Sequence, residues 1–177
     1  MGEFVWEILQ TLILAGLLII FFRAFIFQNY LVEGNSMLPT LEPQERLIVG
    51  RIHYLIGQPQ RGDVIVFQFP QDPERDFVKR VIGLPGETVT IEQGQVFIDG
   101  RPLPAETYVV HADSRSAGPV TLAAGEYWVM GDNRAGSSDS RSWGPLQKRF
   151  IIGKAWFVYL PLSRIGLVSH PDLEPGA

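Results

Sequence analysis

The chain has 177 residues, 15 basic and 19 acidic side chains, a formal net charge of −4 and no cysteine. This length suits one domain of ordinary size, and the acidic balance argues against nucleic acid as a partner. The absence of cysteine excludes disulfides, a thiolate nucleophile and a cysteine-ligated zinc site.

The N-terminal segment is almost uninterruptedly apolar from Val5 to Phe22. Its length approaches the ~20 residues of a membrane-spanning helix. It lacks the basic flank and the small-residue cleavage site that are typical of a secretory signal peptide. We therefore predict an uncleaved N-terminal membrane anchor over residues 1–27.

The sequence after this segment is typical of short β-strands. Runs rich in β-branched and aromatic residues alternate with Gly, Pro, Asp or Asn: LIVGRI, DVIVFQF, FVKRVIGL, TVTIE, QVFID, EYWVMG and GKAWFVYL. A hairpin with Gly94 in its turn and a further turn at Asp99 and Gly100 are predicted. No second amphipathic helix is evident. We predict a mainly β domain over residues 28–170 and a flexible tail over residues 171–177.

The stretch GNSMLPTL places Ser36 a few residues beyond the apolar segment. Asn, Ser and Pro are common in turns and helix caps. Taken alone, the stretch is best interpreted as a turn or cap.

A side-chain base has few candidates in this chain. Three of the 15 basic residues are lysines, so 12 are arginines, which do not release a proton at workable pH. The nitrogen bases are therefore Lys79, Lys148, Lys154, His53, His111 and His170. No serine-protease elbow, HExxH motif or glycine-rich phosphate loop accompanies them.

Lys79 lies among apolar neighbours in DFVKRVIGLPG. Most such lysines lay the stem on apolar surface and keep the ammonium in water. Alternatively, burial lowers the pKa from about 10.4 toward ~7 to 8, where the amine accepts a proton. The sequence leaves both interpretations open.

The stretch GDNRAGSSDSRSWGPL, residues 131–146, has the composition of a long solvated loop. It also places short hydroxyl side chains beside charged ones, a set that can orient an amine by hydrogen bonds. Its polar candidates are Asp132, Arg134, Ser137, Ser138, Asp139, Ser140 and Arg141.

The apolar segment followed in order by GNSMLPTL, RGDVIVF, FVKRVIGLPGE and GDNRAGSSDSRSWG resembles the type I signal peptidases. These are membrane-anchored Ser-Lys proteases that remove signal peptides from exported proteins. The resemblance implies that Ser36 is the nucleophile, that Lys79 is the general base, and that neither a cofactor nor a metal is needed. It also implies that the Ser36 N–H is one oxyanion donor. Gly34 stands where many members have a serine as the second donor, so a backbone group or a water would have to replace it.

The resemblance also assigns supporting roles. Ser137 matches a serine that hydrogen-bonds the catalytic lysine. Asp139 and Arg141 match an ion pair that shapes the same wall, and Asp132 matches an acid that pairs with Arg80.

Substrates of the family carry small side chains at the first and third positions before the cut, which implies a shallow apolar pocket. Its walls would be Tyr30, Val32, Met37, Leu41 and Val78. The expected partners are signal peptides of exported precursors and the lipid bilayer, with Ser36 kept near the membrane by a short linker over residues 28–33.

The resemblance implies a single-pass protein of the cell membrane with its catalytic domain on the extracytoplasmic side. The charges flanking the apolar segment, Glu3, Glu7 and Arg23, favour the opposite orientation by the positive-inside tendency.

Two alternatives stay open at the level of sequence. One is a self-cleaving autoprotease that uses the same Ser-Lys chemistry. The other is a non-enzymatic, membrane-anchored β-rich binding module, in which Ser36 is a cap and Lys79 a surface residue.

Overall fold

The computed structural model describes residues 2–25, 27–104, 108–110 and 113–175. The residues of our predictions that lie outside this part of the chain are Met1 and Ile26 of the anchor, the candidate base His111, and residues 176–177 of the tail.

The first element is the helix α1, Gly2–Phe25. Its sequence is rich in Leu and Ile and contains no proline, so nothing interrupts the helical hydrogen bonds. No helix in the described ranges combines the length and the apolar content needed to cross a membrane.

The remainder is mainly β. In chain order the elements are β1 (Phe27–Leu31), β2 (Arg46–Gly50), α2 (Ile52–Ile56), β3 (Val64–Phe69), β4 (Asp72–Gly83), β5 (Thr88–Glu92), β6 (Gln95–Ile98), β7 (Arg101–Pro102), β8 (Ala117–Thr121), β9 (Glu126–Met130), α3 (Ser140–Trp143), β10 (Leu146–Gln147), β11 (Ile151–Leu160) and β12 (Gly166–Leu167). Short 3-10 turns lie at Lys148–Phe150 and Leu162–Arg164.

Two antiparallel sheets contain these strands. The larger has the order β1-β2-β11-β3-β4-β9-β10, with β12 paired to β11, and the smaller has the order β7-β6-β5-β8. The smaller sheet is inserted between β4 and β9, which are neighbours in the larger sheet. The insertion therefore leaves the pairing of β4 with β9 intact.

Strand β3 lies in the middle of the larger sheet and is buried on both faces. Val64 and Val66 belong to a core cluster with β2 and β11, whereas Ile65 and Phe67 belong to a second cluster with β9. Burial on both faces explains why its first four residues are all apolar rather than alternating with polar ones. It also gives β4, the next strand, a rigid neighbour.

The predicted β class is confirmed, and all seven predicted strand segments form strands. The hairpin at Gly94 is also present, since β5 and β6 pair in antiparallel register around it. The predicted linker over residues 28–33 is wrong in part, because β1 occupies most of it and pairs with β2. Backbone pairing holds this strand although its sequence, FQNYL, has little apolar alternation.

The tail predicted to be flexible begins at residue 171. In the described part of it, Leu173 is buried and packs in the core cluster of the smaller sheet. The chain after β12 therefore returns to the domain at this residue.

Candidate active site

The site forms where strand β9 ends. In strand β4, Lys79 pairs with Ile65 of β3. From Arg80 onward β4 also pairs with β9, and Arg80 lies opposite Met130. Beyond Met130 the chain leaves the sheet at Gly131. This departure gives room beside Lys79 for another segment of the chain.

That segment is the turn that carries Ser36. The Lys79 Nζ lies 2.8 Å from the Ser36 Oγ and 2.8 Å from the Val78 carbonyl oxygen. The Asn133 N–H donates to the Ser36 carbonyl oxygen at 3.1 Å, and its side-chain amide donates to the Asn35 carbonyl oxygen at 3.1 Å. Asn133 thus fixes the backbone on both sides of the serine, a role that sequence reasoning missed.

Lys79 is only 4% exposed. Burial lowers its pKa from 10.5 to about 8, because desolvation outweighs the attraction of the ammonium to Asp139 and Asp132. A lowering of this size raises the neutral fraction at pH 7 by about 300-fold, to about a tenth. The structure therefore supplies an amine that can accept a proton near neutral pH.

Close packing around Gly131 brings the parts of the site together. A Cβ at this position would lie 2.4 Å from the Ser36 carbonyl oxygen and 2.4 Å from the Ser137 Oγ. The Gly131 N–H donates to the Asp139 carboxylate at 3.0 Å. Only a residue without a side chain fits at this close approach.

Ser137 is buried beside the site, but its hydroxyl has no hydrogen-bond partner among the described residues. The expected hydrogen bond to Lys79 is therefore not present in this structure. The hydroxyl lies close enough to Asp139 to contribute to lowering the pKa of that carboxyl group.

The structure brings together the Asp139 and Arg141 side chains. The Arg141 Nε donates to Asp139 Oδ1 at 2.8 Å, and a terminal nitrogen of the same guanidinium donates to Oδ2 at 2.7 Å. Burial alone would raise the pKa of Asp139, but these bonds and the charge of Arg141 lower it below 3.8. The carboxylate stays ionised and serves as the N-cap of α3.

Asp132 and Arg80 form a second ion pair, which is fully buried. Two guanidinium nitrogens of Arg80 donate to the two carboxylate oxygens at 2.9 and 2.7 Å. The Thr40 hydroxyl, at the end of the turn that contains Ser36, donates to the same carboxylate at 2.6 Å. The pair therefore ties the nucleophile turn to β4 and to the residues after β9.

The other candidate bases lie elsewhere. Lys154 donates to Asp63 at 2.6 Å, and Lys148 donates to Gln58 at an exposed position. His170 accepts a hydrogen bond from the Val64 N–H. None of these three contacts involves Ser36.

A cleft of about 500 Å3 opens over Ser36 and Lys79. Two chain segments, residues 30–36 and 74–79, form its walls, and Leu47 and Val66 contribute apolar surface. Gly34 lies in the first segment with φ of 82°, a left-handed conformation that favours glycine.

The five residues predicted to line a substrate pocket divide into two groups. Tyr30, Val32 and Val78 line the cleft. Met37 and Leu41 are fully buried in the core cluster behind it, together with Val32.

Comparisons with known proteins identify the family of the chain. Residues 5–160 match the family model described as signal peptidase, peptidase S26. A probable signal peptidase I-1 from Synechocystis is 40% identical over 98% of this chain and 91% of its own length. Signal peptidase I from Leptolyngbya laminosa is 40% identical over 93% and 84% of the two chains.

A more distant relative by sequence gives the same match. Signal peptidase I from Bacillus licheniformis is 36% identical over 90% of this chain and 91% of its own length. A solved signal peptidase I from Enterococcus faecalis is 31% identical, covers 56% of this chain and 97% of that chain, and has a TM-score of 0.49.

Proposed function

Because the chain belongs to the signal peptidase family, peptidase S26, we propose that it removes signal peptides with Ser36 as nucleophile and Lys79 as general base. The observation that carries the assignment is the 2.8 Å distance between Lys79 Nζ and Ser36 Oγ at a buried site. A nucleophilic serine needs a base within such reach. The desolvated amine meets that need.

The proposed reaction begins with the neutral amine of Lys79. One N–H of the amine donates to the Val78 carbonyl oxygen. This hydrogen bond orients the lone pair of the amine toward the Ser36 hydroxyl. As the Ser36 oxygen bonds to the scissile carbonyl carbon, its proton moves to Lys79. The resulting ammonium returns the proton to the leaving amine, and water resolves the acyl-enzyme with the same lysine as base.

The oxyanion of the tetrahedral intermediate requires hydrogen-bond donors. We assign the Ser36 backbone N–H as the first. Gly34 has no side chain to supply the second, and its left-handed backbone accounts for the glycine. A backbone N–H or a water is then the second donor.

The supporting residues of this proposal act on the loop that faces the dyad. Asp139 and Arg141 hold the backbone at Gly131 through the Asp139 carboxylate. Asp132 and Arg80 hold the nucleophile turn through Thr40. The Ser137 hydroxyl lies beside Gly131 and has no hydrogen-bond partner in the described part of the chain, so it can bond the amine when substrate reorganises the site.

Substrate selection follows from the shape of the cleft. Tyr30, Val32 and Val78 offer shallow apolar walls next to Ser36, which accommodate small side chains and reject large ones by volume. Met37 and Leu41 act from behind these walls, because they are core residues that fix the position of Val32. The substrate is then a precursor cut after a small-x-small sequence.

Membrane attachment is the second part of the proposal. Helix α1 does not combine the length and apolar content needed to span a bilayer, but its 24 residues carry many exposed leucines that can contact lipid. A further apolar surface lies beside β11 and β12, where Leu162 and Leu167 are 76% and 70% exposed, near Trp156 and Ile165. Exposed apolar side chains grouped in this way indicate a contact with protein or lipid. We assign residues 1–27 as anchor and residues 28–170 as the catalytic domain.

The orientation follows from the proposed substrate. Precursors are cut after export, so the catalytic domain lies on the extracytoplasmic side, against the weak charge signal of Arg23. Protease added outside intact cells should degrade the domain. Protection of the domain in intact cells and degradation after lysis would reverse the orientation.

The catalytic assignment is tested by substitution in the full chain. Ser36→Ala and Lys79→Ala should abolish cleavage of an exported precursor, while the fluorescence of the four tryptophans stays native. Ser138→Ala, which changes another cleft-lining serine, is the matched control and should retain cleavage. Full activity of either dyad variant would refute the proposal.

The lipid contact has its own test. Leu162→Ser together with Leu167→Ser should slow cleavage of a precursor embedded in vesicles and leave cleavage of a short soluble peptide unchanged. If the double variant and the unmodified protein cleave the embedded precursor at equal rates, the assignment of this surface to lipid is contradicted.

The non-enzymatic alternative is disfavoured by one observation. A binding module has no reason to bury a lysine amine against a serine hydroxyl, because desolvating an ammonium is unfavourable. The autoprotease alternative predicts fragments when the pure protein is incubated alone, whereas a signal peptidase should stay intact.

A further inference from the structure

An aromatic ring lies next to the amine of the dyad. The Lys79 Nζ is 5.1 Å from the centroid of the Phe77 ring. The two residues are two positions apart on β4, so their side chains point to the same face of the sheet. A cation within about 6 Å of an aromatic face is attracted by the ring quadrupole, most strongly where water is excluded.

The Phe77 ring is held in place by other aromatic side chains. It stacks on Phe69, with centroids 4.5 Å apart and planes inclined by 11°. Phe67 and Phe77 form a T-shaped pair with centroids 6.3 Å apart and planes inclined by 70°. Trp143 packs against both Phe67 and Phe69. Neighbours on several sides leave the ring little freedom, so its electrostatic field at the amine is fixed.

We propose that Phe77 is a positioning residue of the site, whose ring holds the Lys79 nitrogen at Ser36 and stabilises the ammonium formed during the reaction. The inference rests on the proposed function, since it concerns the same dyad. The ring attracts the cation but exerts little force on the neutral amine. Its effect therefore appears when the Ser36 proton has moved to Lys79.

This role also explains how the amine stays basic enough to work. Desolvation disfavours the ammonium at this site, and an amine that bound protons too weakly could not take one from a hydroxyl. The ring offsets part of the desolvation without admitting water or a formal negative charge. It acts together with the carboxylates that face the amine.

Several charged groups surround the amine and must be kept constant in any test. Asp139 and Asp132 attract the ammonium from the loop after β9, and Arg75 lies 5.4 Å from the Phe77 centroid. Further charges at the cleft belong to Glu33, Glu74 and Asp76. A substitution that changes the size of Phe77 would admit water and alter all of these fields at once.

Fluorinated phenylalanine avoids that difficulty, because fluorine withdraws charge from the ring face with little change of shape. Phe77 in the full chain is replaced in turn by phenylalanines with one, two and three ring fluorines, and the pH dependence of kcat/KM is measured on a signal-peptide substrate. The acid limb should move stepwise to lower pH, by about half a unit to one unit with three fluorines. The same series at Phe157, whose ring packs against Trp156 and is not one of the rings that hold Phe77, is the matched control and should leave the limb in place.

An acid limb that does not move with three fluorines at Phe77 would overturn the inference. So would a change in KM alone, because that result would make Phe77 a substrate contact at the cleft. If the unmodified protein has no acid limb, the proposed base is wrong and this inference falls with it. The pH profile of the unmodified protein therefore distinguishes a wrong catalytic base from a wrong role for Phe77.

Discussion

The amine of Lys79 lies 2.8 Å from the hydroxyl oxygen of Ser36, although 43 positions separate the two residues in the chain. The contact exists because β4 carries the lysine past the end of β9 and the Asn133 side chain holds the serine turn against the gap. The geometry has a cost in stability, since the lysine must be desolvated to reach the serine.

That cost predicts that Lys79→Met stabilises the fold. The native pKa of about 8 lies below the unfolded value of 10.5, so the unfolded state binds more protons between these values. Wild-type stability therefore rises with pH across that window. Below about pH 8 the methionine variant should be more stable than the wild type by about 3 kcal/mol. This difference in stability should shrink by more than half by about pH 9.5. Denaturant unfolding followed by tryptophan fluorescence measures the difference, and a less stable methionine variant at pH 7 would contradict it.

Gly131→Ala should impair the reaction more than the fold. The added methyl group collides with the Ser36 carbonyl oxygen and the Ser137 hydroxyl, both 2.4 Å away. A displacement of about 1 Å at a catalytic group can lower the rate about 10²-fold, and kcat should fall by this order. The control is Gly166→Ala, where the new methyl group meets no atom within 4 Å. Equal kcat values for the two variants would refute the packing argument.

Asp132→Asn should destabilise the domain strongly. It leaves the Arg80 guanidinium buried without its carboxylate, and breaking such a pair costs about 3 to 5 kcal/mol. Glu42→Gln is the control at the exposed ion pair with Arg164, whose closest atoms are 3.7 Å apart, and it should change stability by less than about 1 kcal/mol. The two changes are measured by denaturant unfolding. Similar losses would mean that Arg80 finds other acceptors.

His170 should make the fold sensitive to acid. Desolvation, followed by the charge of Lys154, lowers its pKa from 6.5 to about 4. The unfolded state therefore binds more protons between these values, and stability is lost as the pH falls from about 6.5 to 4. His170→Asn keeps an acceptor for the Val64 N–H and removes the titration. Allowing for partial exposure, the wild type should lose on the order of 2 kcal/mol more than the variant over this window, and parallel stability curves would contradict the prediction.

The sequence predicted the strands well because their apolar runs coincide with burial. The central strand β3 is the clearest case, since both of its faces are covered. Strand β1 was missed because Gln28 and Asn29 interrupt its apolar residues, and backbone pairing with β2 holds it. The helices α2 and α3 are too short, at five and four residues, to show helical periodicity.

The site was predictable in its residues but not in its geometry. The order of the motifs pointed to Ser36 and Lys79, yet no sequence pattern reports whether a lysine amine is buried. The same limit applies to the pocket residues. Apolar identity did not distinguish Val78, which lines the cleft, from Leu41, which lies in the core behind it.

The most direct test of the account is the pH dependence of kcat/KM for cleavage of a signal-peptide substrate by the full chain. If neutral Lys79 is the base, kcat/KM should fall tenfold per pH unit on the acid side of a midpoint near pH 8, the pKa set by burial of the amine. A value that stays constant from pH 8 to about pH 6 would contradict a lysine base.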